Sequence, residues 1–137
     1  MVDKGRRMKK QKKANFREIE LKSGFKIILG KDEESNDSLM REFKGKENVI
    51  LHTVASGSPF GVVENLNPNK EEIYLAGVVV SRYSQDWRDN KKDVTVNVFT
   101  GKDIKKPLFA KKGLWKVKDS RRIKAKKKDI LNFIKKK

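Results

Sequence analysis

Asn67-Pro68-Asn69-Lys70-Glu71-Glu72-Ile73-Tyr74-Leu75-Ala76-Gly77-Val78-Val79-Val80-Ser81-Arg82-Tyr83-Ser84-Gln85-Asp86-Trp87 decides the fold. An asparagine cap, an early proline and two acids in the first turn start a helix: they supply a cap acceptor, a pre-set φ and charges suited to the positive end. The body that follows is apolar on most sides (Ile73, Leu75, Val78, Val79, Val80). The helix is therefore expected to run to about Trp87 and to form the buried centre of the domain. Gly77 inside it predicts close packing against a sheet.

Strand-like segments surround this helix. Residues 16–21 and 25–29 alternate on either side of Ser23-Gly24. If Leu21 faces Phe25, then Ile19 faces Ile27 and Glu20 faces Lys26, so apolar meets apolar and opposite charges meet; this predicts a hairpin. Ser35-Asn36-Asp37 reads as a helix N-cap cluster, followed by Leu39, Met40 and Phe43 on one face and an end near Gly45. Residues 49–54 and 60–63 read as strands joined by the small-residue loop 55–59, and Val94, Val96 and Val98 mark a core strand.

Residues 114–118 and 122–126 alternate in step. Trp115, Val117, Ile123 and Ala125 fall on one face; Lys116, Lys118, Arg122, Lys124 and Lys126 fall on the other. A loop Asp119-Ser120-Arg121 makes them a hairpin with Val117 opposite Ile123, Lys116 opposite Lys124 and Lys118 opposite Arg122. A last helix over 127–137 is expected to dock Ile130, Leu131 and Ile134. The sum is one α+β domain at 15–137: a mainly antiparallel sheet on one long buried helix, short extra helices, and a C-terminal basic hairpin and helix. Residues 1–14 read as a disordered basic arm, too charged to pack.

Charge points to the partner. The two ends carry more than the whole formal +17: residues 1–14 hold seven Lys/Arg against one Asp, residues 101–137 hold sixteen against three, and the body between is slightly acidic. A near-neutral body between basic segments is the pattern of a polyanion-binding protein. Like charges directly opposite one another are destabilising, so the basic hairpin face either meets something anionic or is held as a solvated face by its apolar side. The absence of cysteine excludes disulfides and thiolate metal sites, and the single histidine excludes a zinc cluster; no cofactor is expected. The basic N-terminus lacks the apolar run of a signal peptide, and the longest apolar stretch, near 73–80, is too short to span a bilayer. No membrane association is expected, and the setting expected is cytoplasmic.

Several pieces in order resemble the NFACT-R domain, the RNA-binding module of the ribosome-quality-control NFACT proteins, in its small stand-alone, archaeal-type form. They are Phe16-Arg17, Lys22-Ser23-Gly24-Phe25-Lys26-Ile27, Gly30-Lys31 before Ser35-Asn36-Asp37, Ile50-Leu51-His52-Thr53, Ser81-Arg82-Tyr83-Ser84, Val94-Thr95-Val96, and Lys105-Lys106-Pro107 ahead of Lys111-Lys112-Gly113. They span roughly residues 15–118. Many family members have Trp-Leu-His and then Pro-Gly-Ser-His. Here Val49-Ile50 precede Leu51-His52 with no Trp, and 55–60 carries no second His, so no role of that His carries over. The resemblance implies a non-catalytic RNA-binding module associated with ribosomal RNA, tRNA or the ribosome, and with translation. It does not imply the tail-elongating activity of full-length members.

The residues expected to touch RNA are His52, Ser56, Ser58, Arg82, Lys102, Lys105, Lys106, Lys111, Lys112, Lys116, Lys118, Arg121, Arg122, Lys124 and Lys126. His52 is read as a ligand contact or a hydrogen-bonded strand residue. The loop around Ser56-Gly57-Ser58 is read as a phosphate-holding nest or a plain connection. Tyr83 and Trp87 continue the helix's apolar stripe and read as core. Lysine outnumbers arginine, which favours reading of backbone and shape over base edges. Alternatives are an adaptor for an acidic protein or ribosomal partner, and an accessory factor in tRNA modification. An enzyme is not expected, since no acid orients His52 toward a serine and no P-loop or dinucleotide fingerprint is present.

Overall fold

The computed structural model describes residues 16–22, 24–105 and 115–136. The arm at 1–14, Lys106, Lys111 and Lys112 lie outside the described residues. The order is β1 (Arg17–Lys22), β2 (Phe25–Leu29), α1 (Glu33–Phe43), β3 (Val49–Thr53), β4 (Gly61–Val63), α2 (Lys70–Arg82), α3 (Gln85–Asn90) and β5 (Val94–Thr100). A single 3-10 turn (Gly101–Asp103) then leads to β6 (Ile104–Lys105), β7 (Lys116–Val117), β8 (Arg121–Ala125) and α4 (Lys127–Lys136). Six strands form one sheet in the order β1-β2-β4-β3-β5-β8, and β6 and β7 form a two-stranded ribbon. Every pairing is antiparallel. The domain is α+β, as its alternation predicts.

Two cores lie on opposite faces of the sheet. On the inner face, Ile27, Leu29, Leu51, Val63, Val96 and Val98 pack under α2 with Trp87 and Ile130. On the outer face, Ile28, Ile50, Val62 and Phe99 pack against Leu39 and Met40 of α1, with Ile104, Trp115 and Val117 alongside. Central strands covered on both faces are apolar at consecutive positions, which accounts for Ile27-Ile28-Leu29. The centre of α2 is buried from Ala76 to Ser81, as expected for the hub of the fold. Gly77 allows that helix to lie close, since a Cβ there would fall 2.8 Å from Ile123 Cδ1.

The structure differs from the expected elements in five places. The long helix stops at Arg82, because the Ser84 hydroxyl donates to the Ser81 carbonyl at 2.7 Å and accepts from Trp87 N at 3.2 Å, capping a separate α3. Trp87 is buried from that second helix. The cap of α1 is Asp32, not the 35–37 cluster. Asp32 Oδ1 accepts from Ser35 N at 2.8 Å and Asp32 N donates to Ser35 Oγ at 3.0 Å, a capping box that frees Asn36 and Asp37 for other contacts.

In the first hairpin Ile19 pairs with Ile27 and Glu20 with Lys26 as expected, but Lys22 rather than Leu21 meets Phe25. The register shifts between Glu20 and Lys22, and Gly24 just before Phe25 has φ +76.

The C-terminal hairpin does not form. β8 pairs with β5, setting Ala125 opposite Val94 and Ile123 opposite Val96, while β7 pairs with β6. This closes an otherwise open edge of the core sheet. Lys124 then faces Thr95 and Arg122 faces Asn97, so the like-charge pairs that a hairpin would impose are avoided. The four apolar residues expected to share a face are split: Ile123 and Ala125 join the inner core, Trp115 and Val117 the outer. In α4, Ile130 docks with Phe133 and Ile134, and Leu131 is 39% exposed. Spacing i, i+3, i+4 shares a helical face; i+1 lies a hundred degrees away.

Among the described residues no helix is long and apolar enough to cross a membrane, and no three metal-ligating side chains cluster. The Ser81 hydroxyl is fully buried with no hydrogen-bond partner among the described residues. Ser81→Ala is therefore expected to raise stability by about 1 kcal/mol, through the relieved desolvation and the better helix propensity. A urea midpoint unchanged or lowered at constant m would show that the hydroxyl is satisfied.

Candidate nucleic-acid interface

At the end of the sheet where β2 and β3 run out, a cleft of about 500 Å³ opens between the start of α1, the loop 55–59 and the end of α2. Its walls are built by local hydrogen bonds. Gly30 N donates to the Phe60 carbonyl at 3.2 Å, and Phe60 N donates to Asn36 Oδ1 at 3.0 Å. The Asn36 side chain lies so close over Gly30 that any Cβ there would overlap it. In the loop, Ser58 Oγ accepts from Thr53 N at 3.1 Å and donates to the Pro59 carbonyl at 2.9 Å. Gln85 N donates to the Gly57 carbonyl at 2.8 Å, and Gly57 holds φ +89. The loop is thus a tied element, with the Ser58 hydroxyl committed inside it and Ser56 exposed at the cleft.

His52 faces this space half-buried, stacked on Phe60 with ring centroids 4.3 Å apart. Burial lowers its pKa from 6.5 to about 4, outweighing backbone hydrogen bonds with Thr53 and Ser58 that favour the charged form. At neutral pH the imidazole is uncharged, with one donor and one acceptor nitrogen. It is not a countercharge for phosphate.

The positive charge comes from elsewhere. The Arg17 guanidinium sits 4.3 Å from the Tyr83 ring centroid, and that of Arg82 lies 4.9 Å from the same ring. Arg88 donates to the Tyr83 carbonyl at 3.3 Å and to Gln85 Oε1 at 3.0 Å. Arg17, Lys31 and Arg88 line the cleft, and none of the three makes an ion pair among the described residues. Asp32 and Glu33 lie on the α1 side.

Strand register continues the surface beyond the cleft. His52 pairs with Asn97 and Asn97 with Arg122, so the three form a row on the outer face; Thr95 and Lys124 lie beside it. At ~4.8 Å per strand, Arg122 starts roughly 10 Å from His52. Lys105 and Lys116 directly face each other across the β6–β7 ribbon, whose apolar side packs on the outer core. Both are exposed.

The other expected contacts scatter. Lys102 is paired with Glu47 at 3.2 Å, and Lys126 lies 4.0 Å from Asp93. Arg121 pairs with Val98 toward the inner face and lines a shallow depression beside Asp103 and Asp119. Lys118 is exposed where its backbone N–H donates to the Asp103 carbonyl. Arg17, Lys31, Tyr83 and Arg88 do not stand out as site residues in the sequence. Glu18 and Asp32 beside the first two make each resemble balanced surface, and Tyr83 reads as a continued core stripe.

A family model described as the NFACT protein RNA binding domain matches residues 17–112. The chain belongs to this family. Arg17, Gly30, Lys31, Asn36, His52 and Tyr83, distant in sequence, converge on the cleft. Among solved structures, the C-terminal of the fibronectin/fibrinogen-binding protein from Streptococcus suis matches with a TM-score of 0.73 at 20% identity, over 86% of this chain and 48% of that one. The likeness shows a shared fold, and this chain spans about half the length of that structure. No curated protein matches the chain.

Proposed function

We propose that this NFACT-R domain binds structured RNA, ribosomal or transfer RNA, in translation or ribosome quality control in the cytoplasm, without catalysing a reaction on it. One observation carries the reading. Four cations on the outer side, Lys105, Lys116, Arg122 and Lys124, make no ion pair among the described residues, and two of them face each other. Held like charges gain most from an external polyanion, and phosphate contacts of this kind track backbone and shape. Arg82, Lys102, Lys118, Arg121 and Lys126 enter as peripheral contacts. Lys106, Lys111, Lys112 and the arm at 1–14 enter by charge alone.

Binding to a transfer RNA is expected to weaken steeply with salt. Arg122→Glu with Lys124→Glu should reduce the slope of log affinity against log salt by roughly two, one per lost phosphate contact. An unchanged slope would move the interface away from β8. Retention of a protein partner after nuclease treatment, with no RNA affinity in the purified chain, would instead mark an adaptor.

A further inference from the structure

We infer that the cleft beside His52 is a pocket for one unpaired ribonucleotide, its 5′-phosphate held by Arg17, Lys31 and Arg88 and its ribose hydroxyls by Asp32 and Glu33. The inference rests on the RNA-binding reading above and says what that RNA must present. A row of cations on a sheet face suits a continuous backbone. A recess of about 500 Å³ suits a group withdrawn from a stack, since small-ligand sites run from roughly 300 to 1,000 Å³.

The lining has the chemistry of a nucleotide and not of a bare anion. Two of its three cations are arginines, whose planar forks match phosphate oxygens in pairs. Arg17 is positioned over the Tyr83 ring and Arg88 by its bonds to the Tyr83 carbonyl and Gln85, so little side-chain freedom is lost on binding. Arg88 has donors to spare, since a guanidinium carries five N–H groups. A site for phosphate alone gains nothing from two carboxylates; a ribose offers them hydroxyl donors. Asp32 uses Oδ1 on Ser35 N, and that hydrogen bond holds its carboxyl below the usual range, leaving an ionised oxygen as acceptor. His52, neutral and stacked on Phe60, presents a donor and an acceptor suited to a base edge. Contact with the 2′-hydroxyl is what separates RNA from DNA at a single site.

The shared chemistry is a ribonucleoside 5′-phosphate, whether unstacked from an RNA or free. The four ribonucleoside monophosphates and their 2′-deoxy counterparts can be titrated into the full chain while following the amides of Gly57 and Ser58 and the His52 imidazole by NMR. At least one ribonucleotide is expected to shift these signals, with its deoxy form at least tenfold weaker. Equal binding of the deoxy form overturns the ribose assignment. In a second arm, an RNA hairpin with one bulged nucleotide is expected to bind at least tenfold more tightly than the fully paired hairpin. Arg17→Glu and Arg88→Glu, both at exposed positions, should abolish that preference and leave paired-hairpin binding in place. Arg122→Glu with Lys124→Glu should weaken both hairpins and keep the preference. Nucleotide binding without a bulge preference overturns RNA as the source and leaves a free nucleotide as the ligand. Failure of both arms, while the paired hairpin still binds with a steep salt slope, overturns the pocket and leaves the outer-face reading standing. If no RNA binds, the outer-face reading fails, and the nucleotide titration still decides the pocket.

Discussion

Gly101→Ala is expected to lower folding stability by about 3 kcal/mol, the upper end of what overpacking a close-fitted site costs. Any Cβ at Gly101 would overlap the Phe43 carbonyl oxygen and lie 2.6 Å from the Lys46 carbonyl oxygen. Both obstacles are backbone, so no side-chain rotation relieves them. The main chain is also pinned on both sides: Gly101 N donates to the Asn48 carbonyl at 3.2 Å, and Gly45 N donates to the Gly101 carbonyl at 2.7 Å. This clamp fastens the end of β5 to the connection between α1 and β3. Strain released there must move the turn that leads into β6, and with it Lys105 and its partner Lys116. The urea midpoint should fall with m unchanged, and the salt slope of RNA binding should shrink in conditions where the variant remains folded. A loss below about 1 kcal/mol would show that the connection yields and that the ribbon is not held by it.

Where the sequence is legible, local physics suffices. Alternation identifies β1 and most of β5, because a strand with one buried face must repeat every second residue, whereas β2 and β3 show as short apolar runs buried on both faces. The pairs Ile19–Ile27 and Glu20–Lys26 follow from matching apolar with apolar and opposite charges across a short turn. The cap of α2 is equally local: Asn69 and Glu72 close a capping box three residues apart. Partner choice is different. Residues 116–117 and 121–125 alternate in the same way whether they face each other or not, and their proximity in sequence favours a hairpin. What separates them is a bond-for-bond competition. β5 offers β8 five aligned positions with valines for Ala125 and Ile123, and the ribbon lets Trp115 reach Asp37 Oδ1 at 3.1 Å. Neither term is visible within the segment itself.

The same distinction divides the site. His52 and the serine loop lie on one short segment and are legible together. The cations of the cleft come from β1, the turn after β2 and α3, and become neighbours only once the sheet order β1-β2-β4-β3 is set. Arg17 and Lys31 each sit next to an acid in sequence, so local charge counting cancels them. In space, Asp32 is turned to the α1 cap, and Arg17 is drawn over Tyr83. Charge density read along the chain therefore overstates Lys102 and Lys126, which are paired with carboxylates, and misses Arg17 and Arg88, which make no ion pair among the described residues.

Acidification provides the sharpest test of how His52 is held. In the folded protein its pKa is lowered from 6.5 to about 4 by burial. The unfolded chain, with the ordinary value, takes up a proton as the pH falls below about 6.5, whereas the folded chain does so only near 4. Between these limits the unfolded state binds more protons, so stability falls with falling pH at about 1.4 kcal/mol per unit and levels off below the folded value. The total loss is about 3 kcal/mol for this one group. Carboxylates titrate over part of the same range, so the quantity to measure is the difference between wild type and His52→Gln at each pH from 8 to 4. That difference should be constant above pH 7 and shift against the wild type by about 3 kcal/mol as the pH approaches 4. A shift in the opposite direction would mean a histidine charged in the folded state, paired with phosphate-like or carboxylate groups. A flat difference would mean an imidazole open to water. Only a neutral, enclosed imidazole gives the expected sign, and only such a ring can contact RNA at physiological pH without adding to the salt slope.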